Sequence, residues 1–361
     1  MIKKLLRGLF GSIICVIFRI TEKCVPNKLD VVFTDFCNAA QPKDYYLEYK
    51  LFPKKITSIP FYSYQKKGSL DKLAIILQGP ISKEDNYTIE TVKFYRQMYP
   101  EAKTIVSTWK DEDLKSIEEL KKLGAIVVQS EDPAFPGLVN TNRQKVSTLA
   151  GIYEAQRLGM EYVAKTRTDQ RLCRPHAFEF LINMLDLFPS NFNIQKKRII
   201  SLPTICAGDV FYPYTTGDYF FMGTICDMEM LWNFPDDLST ERIVADTKKN
   251  QAKVCNEGIM LRNYLEMING ELDYSIKNYW DLIKGGFICL DNGMVNLHYL
   301  KHDLNHYYSK SVNMMQNEFS FNDDKNKLKT ECFGFVNWIN LYYGQLSYEE
   351  CVEKYAEASI F

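Results

Sequence analysis

The chain has 361 residues and a formal net charge of −1, with 46% hydrophobic and 25% charged residues. This length and composition are those of a globular protein with one large domain or two modest ones. The near-zero charge gives no basic field that would recruit nucleic acid, so no nucleic-acid partner is expected. The 10 cysteines form no CxxC pair, which excludes a zinc ribbon and favours a reduced, intracellular protein.

The first 24 residues predict an amphipathic helix that lies in a membrane interface. An uncharged apolar run extends from Gly8 to Phe18, between Arg7 and Arg19. This run is shorter than the about 20 residues that a bilayer crossing needs, and no small-residue cleavage site follows it. Because the basic flanks favour anionic headgroups, we expect a cytoplasmic protein that is peripheral on the inner face of the cytoplasmic membrane. The alternative is an ordinary docking helix.

The next elements predict a parallel α/β sheet. Residues 25–70 contain four prolines and are expected to be an irregular lead-in. Short apolar runs then predict strands at 73–77, 103–108, 125–129 and 162–166, separated by helices at 86–98, 111–123 and 142–158. The strand runs are apolar throughout rather than alternating, which is typical of a parallel sheet covered by helices on both faces.

Beyond residue 172 the pattern is looser. It predicts a helix near 175–187, strands at 198–202 and 217–223, a helix at 256–268 and a C-terminal helical piece. The expected organisation is therefore a membrane-interface helix over 1–24, an irregular lead-in over 25–70, a main domain over 71–310 and a helical extension over 311–361.

A charged stretch closes the fourth predicted strand. The sequence EYVAKTRTDQRL, at 161–172, places Lys165, Arg167, Asp169 and Arg171 at every second position. In an extended backbone these four side chains share one face. Three cations beside one carboxylate suit a phosphate group with a metal ion. The alternative is a solvated ladder of ion pairs on an edge strand.

The ends of the other strands predict a crevice beside this charged face. Open parallel sheets bind ligands beyond the carboxyl ends of their strands, which brings Gln78-Gly79-Pro80, Trp109 and Asp169 together. Neither a G-x-G-x-x-G nor a G-x-x-x-x-G-K-[ST] motif is present, which disfavours a nicotinamide oxidoreductase and a P-loop kinase. A nucleoside diphosphate suits the crevice: Asp169 would hold a divalent ion, and the cations would stabilise a departing diphosphate.

A polar run at the start of the predicted helix 142–158 offers a second contact with the ligand. Asn140 or Asn142 is placed to cap the helix, and the N–H groups of a helix start favour an anion. Simple capping explains one of the two asparagines, and Arg143 is the better candidate for a functional contact.

Three further residues are candidates for chemistry. Glu257 opens the predicted helix 256–268, where it either complements the helix dipole or deprotonates an acceptor hydroxyl. Asp218 competes for the role of general base. His298 is a candidate late ligand for the metal at Asp169.

At these residues the chain resembles the WavE lipopolysaccharide-synthesis family. The resembling segments are LAIILQGPI at 73–81, FYRQMYPEAKTIVSTW at 94–109, NTNRQKVSTLAGIYEA at 140–155, YVAKTRTDQRL at 162–172, GDYFFMG at 217–223 and NEGIMLRNYL at 256–265. The resemblance implies a GT-A-like (Rossmann-like) fold over 71–310, and a glycosyltransferase that acts on bacterial surface glycan.

The resemblance also implies roles for particular residues. The fourth strand of GT-A enzymes ends in D-x-D, which Arg167-Thr168-Asp169 matches here with arginine in place of the first acid. This substitution leaves dependence on Mn²⁺ or Mg²⁺ open, and the cations are expected to take over part of the work of a metal. The GDYFFMG-like strand and the helix start assign acceptor contacts to Asp218 and Glu257.

The sequence therefore predicts a glycosyltransferase that moves a sugar from a nucleotide-sugar donor to a lipopolysaccharide- or capsule-type glycan, or to a lipid-linked oligosaccharide. Gln78, Gly79 and Trp109 would border the nucleotide, while Lys165 and the polar helix start would touch nucleotide or phosphate. Two alternatives stay open: a nucleotidyl- or phosphotransferase of surface-glycan synthesis, and a non-catalytic scaffold at the membrane.

Overall fold

The structure is a computed structural model that describes part of the chain. The described residues are 11–13, 16–20, 23, 29–39, 52–55, 68–202, 218, 220–238, 256–272, 276–300 and 334–345. The chain divides into two compact units, Met1–Phe52 and Pro53–Phe361. The finer boundaries expected at 24, 70 and 310 stay predictions.

The first unit is helical where it is described. Residues 11–13 and 16–20 are helical, and helix α1 covers Leu29–Ala39. The ring of Phe18 stacks on that of Phe33 with centroids 4.3 Å apart. The lead-in over 25–70 was expected to be irregular, and this expectation is wrong for the residues of α1. These eleven residues contain neither glycine nor proline, which permits a helix. In the part of the chain that the structure describes, no helix combines the length and hydropathy that a bilayer crossing requires.

The second unit is built on a seven-stranded sheet in the order β3-β2-β1-β4-β7-β6-β8, with β5 and β9 paired separately. The strands are β1 Leu73–Gln78, β2 Lys103–Trp109, β3 Ile126–Ser130, β4 Tyr162–Arg167, β5 Gln170–Leu172, β6 Ile199–Ser201, β7 Phe221–Thr224, β8 Phe287–Cys289 and β9 Leu297–Tyr299. Strands β1 to β4 run parallel to one another, and β7 runs antiparallel to β4 and to β6.

Helices join these strands. They are α2 Tyr87–Met98, α3 Leu114–Lys122, α4 Thr141–Arg157, α5 Ala177–Leu187, α6 Ile225–Trp232, α7 Asn256–Asn269, α8 Ile276–Gly286, α9 Asn292–Val295 and α10 Phe335–Tyr342. The predicted fold class is confirmed as an α/β fold with a mostly parallel sheet flanked by helices. The helical additions at both ends, α1 and α10, are present as well.

Strand β1 lies near the centre of the sheet, and all six of its residues are buried. Its neighbours are β2 and β4, and α4 packs closely across it. Gly151 permits this approach, since a Cβ atom there would lie 2.7 Å from Cγ2 of Ile76. Burial on both faces explains the continuous apolar run, because each large aliphatic side chain removed from water contributes about 2 kcal/mol.

The C-terminal helix α10 packs against the same core. Trp338 is fully buried, and its ring meets that of Phe188 edge to face at 5.0 Å. The guanidinium of Arg198 lies 5.2 Å from the ring centroid of Tyr342 and donates to Pro189 O at 2.9 Å. These contacts anchor α10 beside β6 and β8.

Candidate functional site

Two adjacent turns form the floor of the candidate site. Strands β1 and β4 are parallel neighbours, so they end at the same edge of the sheet. The Thr168 N–H donates to Gln78 O at 3.1 Å, and its hydroxyl donates to Pro80 O at 2.5 Å. Gly79 has φ +117°, a left-handed backbone that favours glycine. The turn that ends β1 is therefore locked to the turn that ends β4.

The central feature of this edge is an ion pair between Arg167 and Asp169. Arg167 Nε lies 2.9 Å from Asp169 Oδ1, and Nη2 lies 3.2 Å from Oδ2. The two side chains are 22% and 17% exposed. Burial lowers the pKa of Arg167, but the hydrogen bond and the charge of Asp169 outweigh burial and raise it. The pair is thus a bidentate contact that water only partly screens.

Tyr299, at the end of β9, supports the guanidinium from one side. The ring centroid lies 5.6 Å from Arg167 Cζ, within cation–π range. Burial raises the pKa of Tyr299, and the positive charge of Arg167 opposes that rise. The Leu300 N–H donates to Asp169 O at 2.9 Å, so the end of β9 is also bonded to the turn.

Lys165 lies on β4 behind the ion pair and is fully buried. Its ammonium donates to the carbonyl oxygen of Asp218 and lies 4.7 Å from the centroid of the Trp232 ring. Burial lowers the pKa of Lys165 to about 7; Asp218 and Asp169 act to raise it, and Arg167 lowers it further. These interactions join Lys165, Arg167, Asp169 and Asp218 in one electrostatic cluster. Lys165 itself does not reach open solvent.

Arg171 lies apart from this cluster. A turn at 168–169 interrupts the strand, so the extended run assumed from the sequence is broken. The Arg171 Nε donates to Thr91 Oγ1 at 3.0 Å, and Nη1 donates to Pro53 O at 2.9 Å. Its guanidinium lies 4.7 Å from the ring centroid of Tyr87. The prediction that four alternate positions share one face is therefore wrong for Arg171, which packs against α2.

His298 lies on β9, directly opposite Arg171 in the register with β5. Its Nδ1 lies 2.7 Å from the hydroxyl of Tyr87, and the two ring centroids are 5.5 Å apart. Burial raises the pKa of Tyr87, so this hydroxyl stays protonated. His298 is thus engaged with a side chain of α2.

The described residues do not fit a metal centre. Among them, no group of three or more His, Cys, Asp or Glu side chains is placed to hold an ion. The carboxylate of Asp169, the predicted metal ligand, is engaged at both oxygens by Arg167. A metal at Asp169 would have to share this carboxylate with Arg167 or displace it.

The start of α4 is held by the chain itself. The Asn142 amide donates to Asp237 O at 2.8 Å and to Phe135 O at 3.1 Å, and Asp237 N–H donates to Asn142 Oδ1 at 2.8 Å. The N–H groups of Asn142 and Arg143 donate to Pro136 O at 3.0 and 3.4 Å. The predicted anion position at this helix start therefore already has an internal acceptor.

Arg143 and Trp109 lie nearer the surface. The Arg143 Nε and Nη2 lie 2.7 and 2.5 Å from the two carboxylate oxygens of Asp132. This hydrogen bonding raises the pKa of Arg143 and lowers that of Asp132. Nη1 donates to the side chain of Asn140, the N-cap residue, which makes no side-chain capping bond. Trp109 ends β2 and is half-buried.

The two candidate bases differ in how far they are described. Asp218 lies in a bend before β7, which begins at Phe221. Gly217 and Tyr219, which belong to the strand predicted over 217–223, lie outside the described ranges. Glu257 lies in the first turn of α7, as predicted, and its side chain is outside the described part.

Sequence reasoning missed several residues that shape the site. Thr168 lay inside the R-T-D tripeptide and Tyr299 lies next to His298, so closeness in sequence was an available signal for both. Trp232 and Tyr87 had no local signal, because their contacts join elements far apart in the chain.

Two cavities are lined wholly by described residues. One, of about 460 Å³, lies between residues 235–238 and α7. The other, of about 360 Å³, lies at the opposite end of β4 and includes Glu161, Lys196 and Cys226. Neither is lined by Arg167 or Asp169.

Comparison with solved structures finds distant similarities, among them a cytidylyltransferase and a mannosyltransferase. A cytidylyltransferase from Leptospira borgpetersenii matches with a TM-score of 0.33 and 14% identity, over 80% of this chain and 96% of that one. The mannosyltransferase PcManGT from Pyrobaculum calidifontis, in complex with GDP-Man and Mn²⁺, matches with a TM-score of 0.33 and 11% identity, over 84% and 78%. Both similarities are too low to carry an argument about this chain.

Sequence comparison is decisive only at the level of the family. No curated protein matches the chain significantly. The family model for WavE lipopolysaccharide synthesis matches residues 73–355, which include the whole sheet and the charged turn. The chain therefore belongs to the WavE lipopolysaccharide synthesis family.

Proposed function

We propose that this protein is a glycosyltransferase that moves a sugar from a nucleotide-sugar donor to a lipopolysaccharide- or capsule-type glycan. The observation that carries the proposal is the Arg167–Asp169 pair at the carboxyl edge of a parallel sheet, beside the locked turn at Gly79. Open α/β sheets bind their ligands at this edge. Membership of a lipopolysaccharide synthesis family supports a glycan as the acceptor.

The donor diphosphate would approach Arg167. Asp169 engages two of the five N–H donors of this guanidinium, and Tyr299 lies within cation–π range of it. A planar guanidinium matches phosphate oxygens, so Arg167 would stabilise the negative charge that develops on the departing diphosphate. Gln78, Gly79 and Trp109 end the neighbouring strands and would border the nucleotide.

The transfer step needs a base for the acceptor. An acceptor hydroxyl oxygen attacks the anomeric carbon, the bond from that carbon to the diphosphate breaks, and the hydroxyl proton passes to a carboxylate. Glu257 and Asp218 are the candidates. Asp218 lies in the same electrostatic cluster as Lys165, which donates to its carbonyl oxygen.

Several predicted ligand contacts take a supporting role in this proposal. Asn142, Arg143 and Arg171 are engaged by neighbouring protein atoms and would hold the frame around the nucleotide. Lys165 would hold the backbone at Asp218. Because the described residues do not fit a metal centre, no step is assigned to a divalent ion.

The first unit would place the enzyme at the inner face of the cytoplasmic membrane. Ile13, Val16, Ile17 and Ile20 are 46–56% exposed and have the i, i+3, i+4, i+7 spacing of one helical face. With Arg19 beside them, these side chains suit an interface of anionic lipid.

Thermal-shift screening of the purified protein against UDP-, GDP-, CMP- and dTDP-sugars tests the proposal, because a bound donor stabilises the native state. We expect one donor class to raise Tm, and Arg167→Ala to abolish the rise. Product analysis with an acceptor should then show free nucleotide and a glycosylated product. Release of pyrophosphate would indicate a nucleotidyltransferase, and no response to any donor would favour a scaffold.

A further inference from the structure

A polar groove, open to solvent, lies between the loop 235–238 and α7. One wall is the loop 235–238, and the other is a single face of α7 formed by Ile259, Arg262, Asn263 and Glu266. These four positions follow the i, i+3, i+4, i+7 spacing of a helix face. The cavity measures about 460 Å³, within the roughly 300–1,000 Å³ that small-molecule sites occupy.

The loop wall is held in place by α4 and by the turn that precedes it. The Leu138 N–H donates to Asp237 Oδ2 at 2.8 Å, and Asn142 makes two further bonds to Asp237. Lys145 pairs with Asp236 and donates to Phe234 O at 3.1 Å. A wall fixed by so many bonds is preorganised, so a ligand would lose little free energy in ordering it.

The groove opens at the same edge of the sheet as the donor site. Helix α6 begins beside the start of β4, where the Ile225 N–H donates to Glu161 O, and ends with Trp232 over Lys165. The loop 235–238 therefore leaves α6 at the carboxyl edge of β4. On the other wall, α7 begins next to Glu257, a candidate base.

The chemistry of the groove suits a neutral, hydroxyl-rich ligand. Lys145 balances the charge of Asp236, and the carboxylates of Asp237 and Glu266 outnumber the guanidinium of Arg262, so an anionic ligand is disfavoured. On the α7 face, the carboxylate of Glu266 offers hydrogen-bond acceptors and the amide of Asn263 offers both an acceptor and donors. Leu238, which is 72% exposed, and Ile259 provide apolar surface for the C–H faces of sugar rings.

We propose that this groove is the acceptor subsite, and that it binds the oligosaccharide to which the sugar is added. The inference rests on the proposed glycosyltransferase function. Asn263 and Glu266 would bind ring hydroxyls, which directs the glycan along α7 towards its start at Glu257.

Saturation-transfer NMR with a panel of neutral oligosaccharides that represent surface glycans tests the subsite without requiring turnover. The variant Asn263→Ala/Glu266→Gln removes the amide of one groove side chain and the negative charge of another. The matched control, Asn269→Ala/Glu271→Gln, changes the same residue types at exposed positions at and just beyond the C-terminal end of α7. We expect wild type and control to bind the same oligosaccharide, and the groove variant to bind it at least tenfold more weakly with an unchanged Tm.

Equal binding by wild type and groove variant would overturn the proposal, as would no binding of any oligosaccharide by wild type. The donor screen on wild type is run in parallel. If no donor stabilises the protein but the groove variant still loses the oligosaccharide, the glycosyltransferase function fails and the glycan-binding groove stands. If a donor binds and the groove variant behaves as wild type, the acceptor binds elsewhere.

Discussion

The ammonium of Lys165 lies 4.7 Å from the ring centroid of Trp232, inside the protein core. A buried lysine is costly unless a carbonyl or a ring face compensates the loss of hydration, and here Asp218 O and the indole do so. The contact ties the end of α6 to β4 just behind the Arg167–Asp169 pair. A side chain chosen from the sequence as a phosphate ligand is thus a buried support of the charged edge.

The lowered pKa of Lys165 predicts a specific dependence of stability on pH. Its pKa is about 7 when folded against an ordinary value of 10.5, so between these values the unfolded chain binds one more proton. Raising the pH in this window therefore stabilises the folded state, by up to about 1.4 kcal/mol per unit. We expect wild type to gain stability relative to Lys165→Met from pH 7 to pH 10, measured by urea denaturation.

Lys197→Met is the matched control for this prediction. Burial lowers the pKa of Lys197, but its hydrogen bond to Asp186 outweighs burial and raises the pKa above the ordinary value. Both states then keep the Lys197 proton below the ordinary lysine pKa, so this variant should follow wild type from pH 7 to pH 9.5. Parallel curves for wild type and Lys165→Met over the window would contradict the assignment of Lys165.

The Arg167–Asp169 pair predicts coupled losses of stability and donor binding. Arg167→Ala leaves the carboxylate of Asp169, only 17% exposed, without its bidentate partner. Because the burial of this salt bridge is intermediate between that of an exposed pair and that of a fully buried pair, we expect a loss of about 2 kcal/mol in unfolding free energy. The donor-induced rise in Tm should vanish as well. Arg167→Lys should keep only part of the stability and part of the donor-induced rise in Tm, because an ammonium lacks the planar, bidentate geometry of a guanidinium.

Arg157→Ala provides the comparison for this pair. Arg157 pairs with Glu154 on the outer face of α4, where its side chain is 69% exposed. We expect this variant to keep the full donor-induced shift in Tm. A donor shift that survives Arg167→Ala would instead place the diphosphate away from the charged turn.

The sequence predicted the elements that position the site, because strong local patterns encode them. The apolar runs of β1 to β4 and the glycines that follow α3 and α4 were sufficient to order the first half of the sheet. The predicted helix boundaries differ from the observed ones where the sequence did not reveal the helix cap. The helix predicted over 111–123 begins at Leu114, because Asp113 accepts from the Ser116 N–H and caps it.

The sequence could not predict which charges meet. The turn at 168–169 redirects Arg171 to α2, and no periodicity marks that turn. The partner of Asn142 lies 95 positions away, at Asp237, so its role as a tie between α4 and a distant loop had no local signal. Such contacts depend on how elements pack, whereas composition and spacing describe only the elements themselves.

The engaged carboxylate of Asp169 predicts how donor binding responds to metal removal. Since Arg167 already occupies both oxygens, we expect the donor-induced rise in Tm to persist in EDTA. Addition of Mn²⁺ alone should leave Tm unchanged. Thermal-shift measurements with the stabilising donor, with and without chelator, check both outcomes. A donor shift that appears only with Mn²⁺ would show that the ion pair opens to admit a metal.

The close contact between α4 and β1 predicts an unusual glycine effect. Replacing a helix-interior glycine by alanine ordinarily stabilises by about 1 kcal/mol. At Gly151 the new Cβ would lie 2.7 Å from Cγ2 of Ile76, so overpacking of about 1–3 kcal/mol should exceed that gain. We expect Gly151→Ala to lower the unfolding free energy and, because β1 carries Gln78, to weaken donor binding.

A double-mutant cycle isolates the cause of this effect. Ile76→Ala removes the three atoms nearest to the new Cβ, so Gly151→Ala should be neutral or stabilising in that background. Ile76→Val keeps Cγ2, the atom that makes the closest approach, and should leave the penalty largely intact. An equal loss of unfolding free energy for Gly151→Ala in the wild-type and Ile76→Ala backgrounds would contradict this explanation. It would mean that Gly151 is needed for the backbone conformation of α4 and not for the packing of α4 on β1.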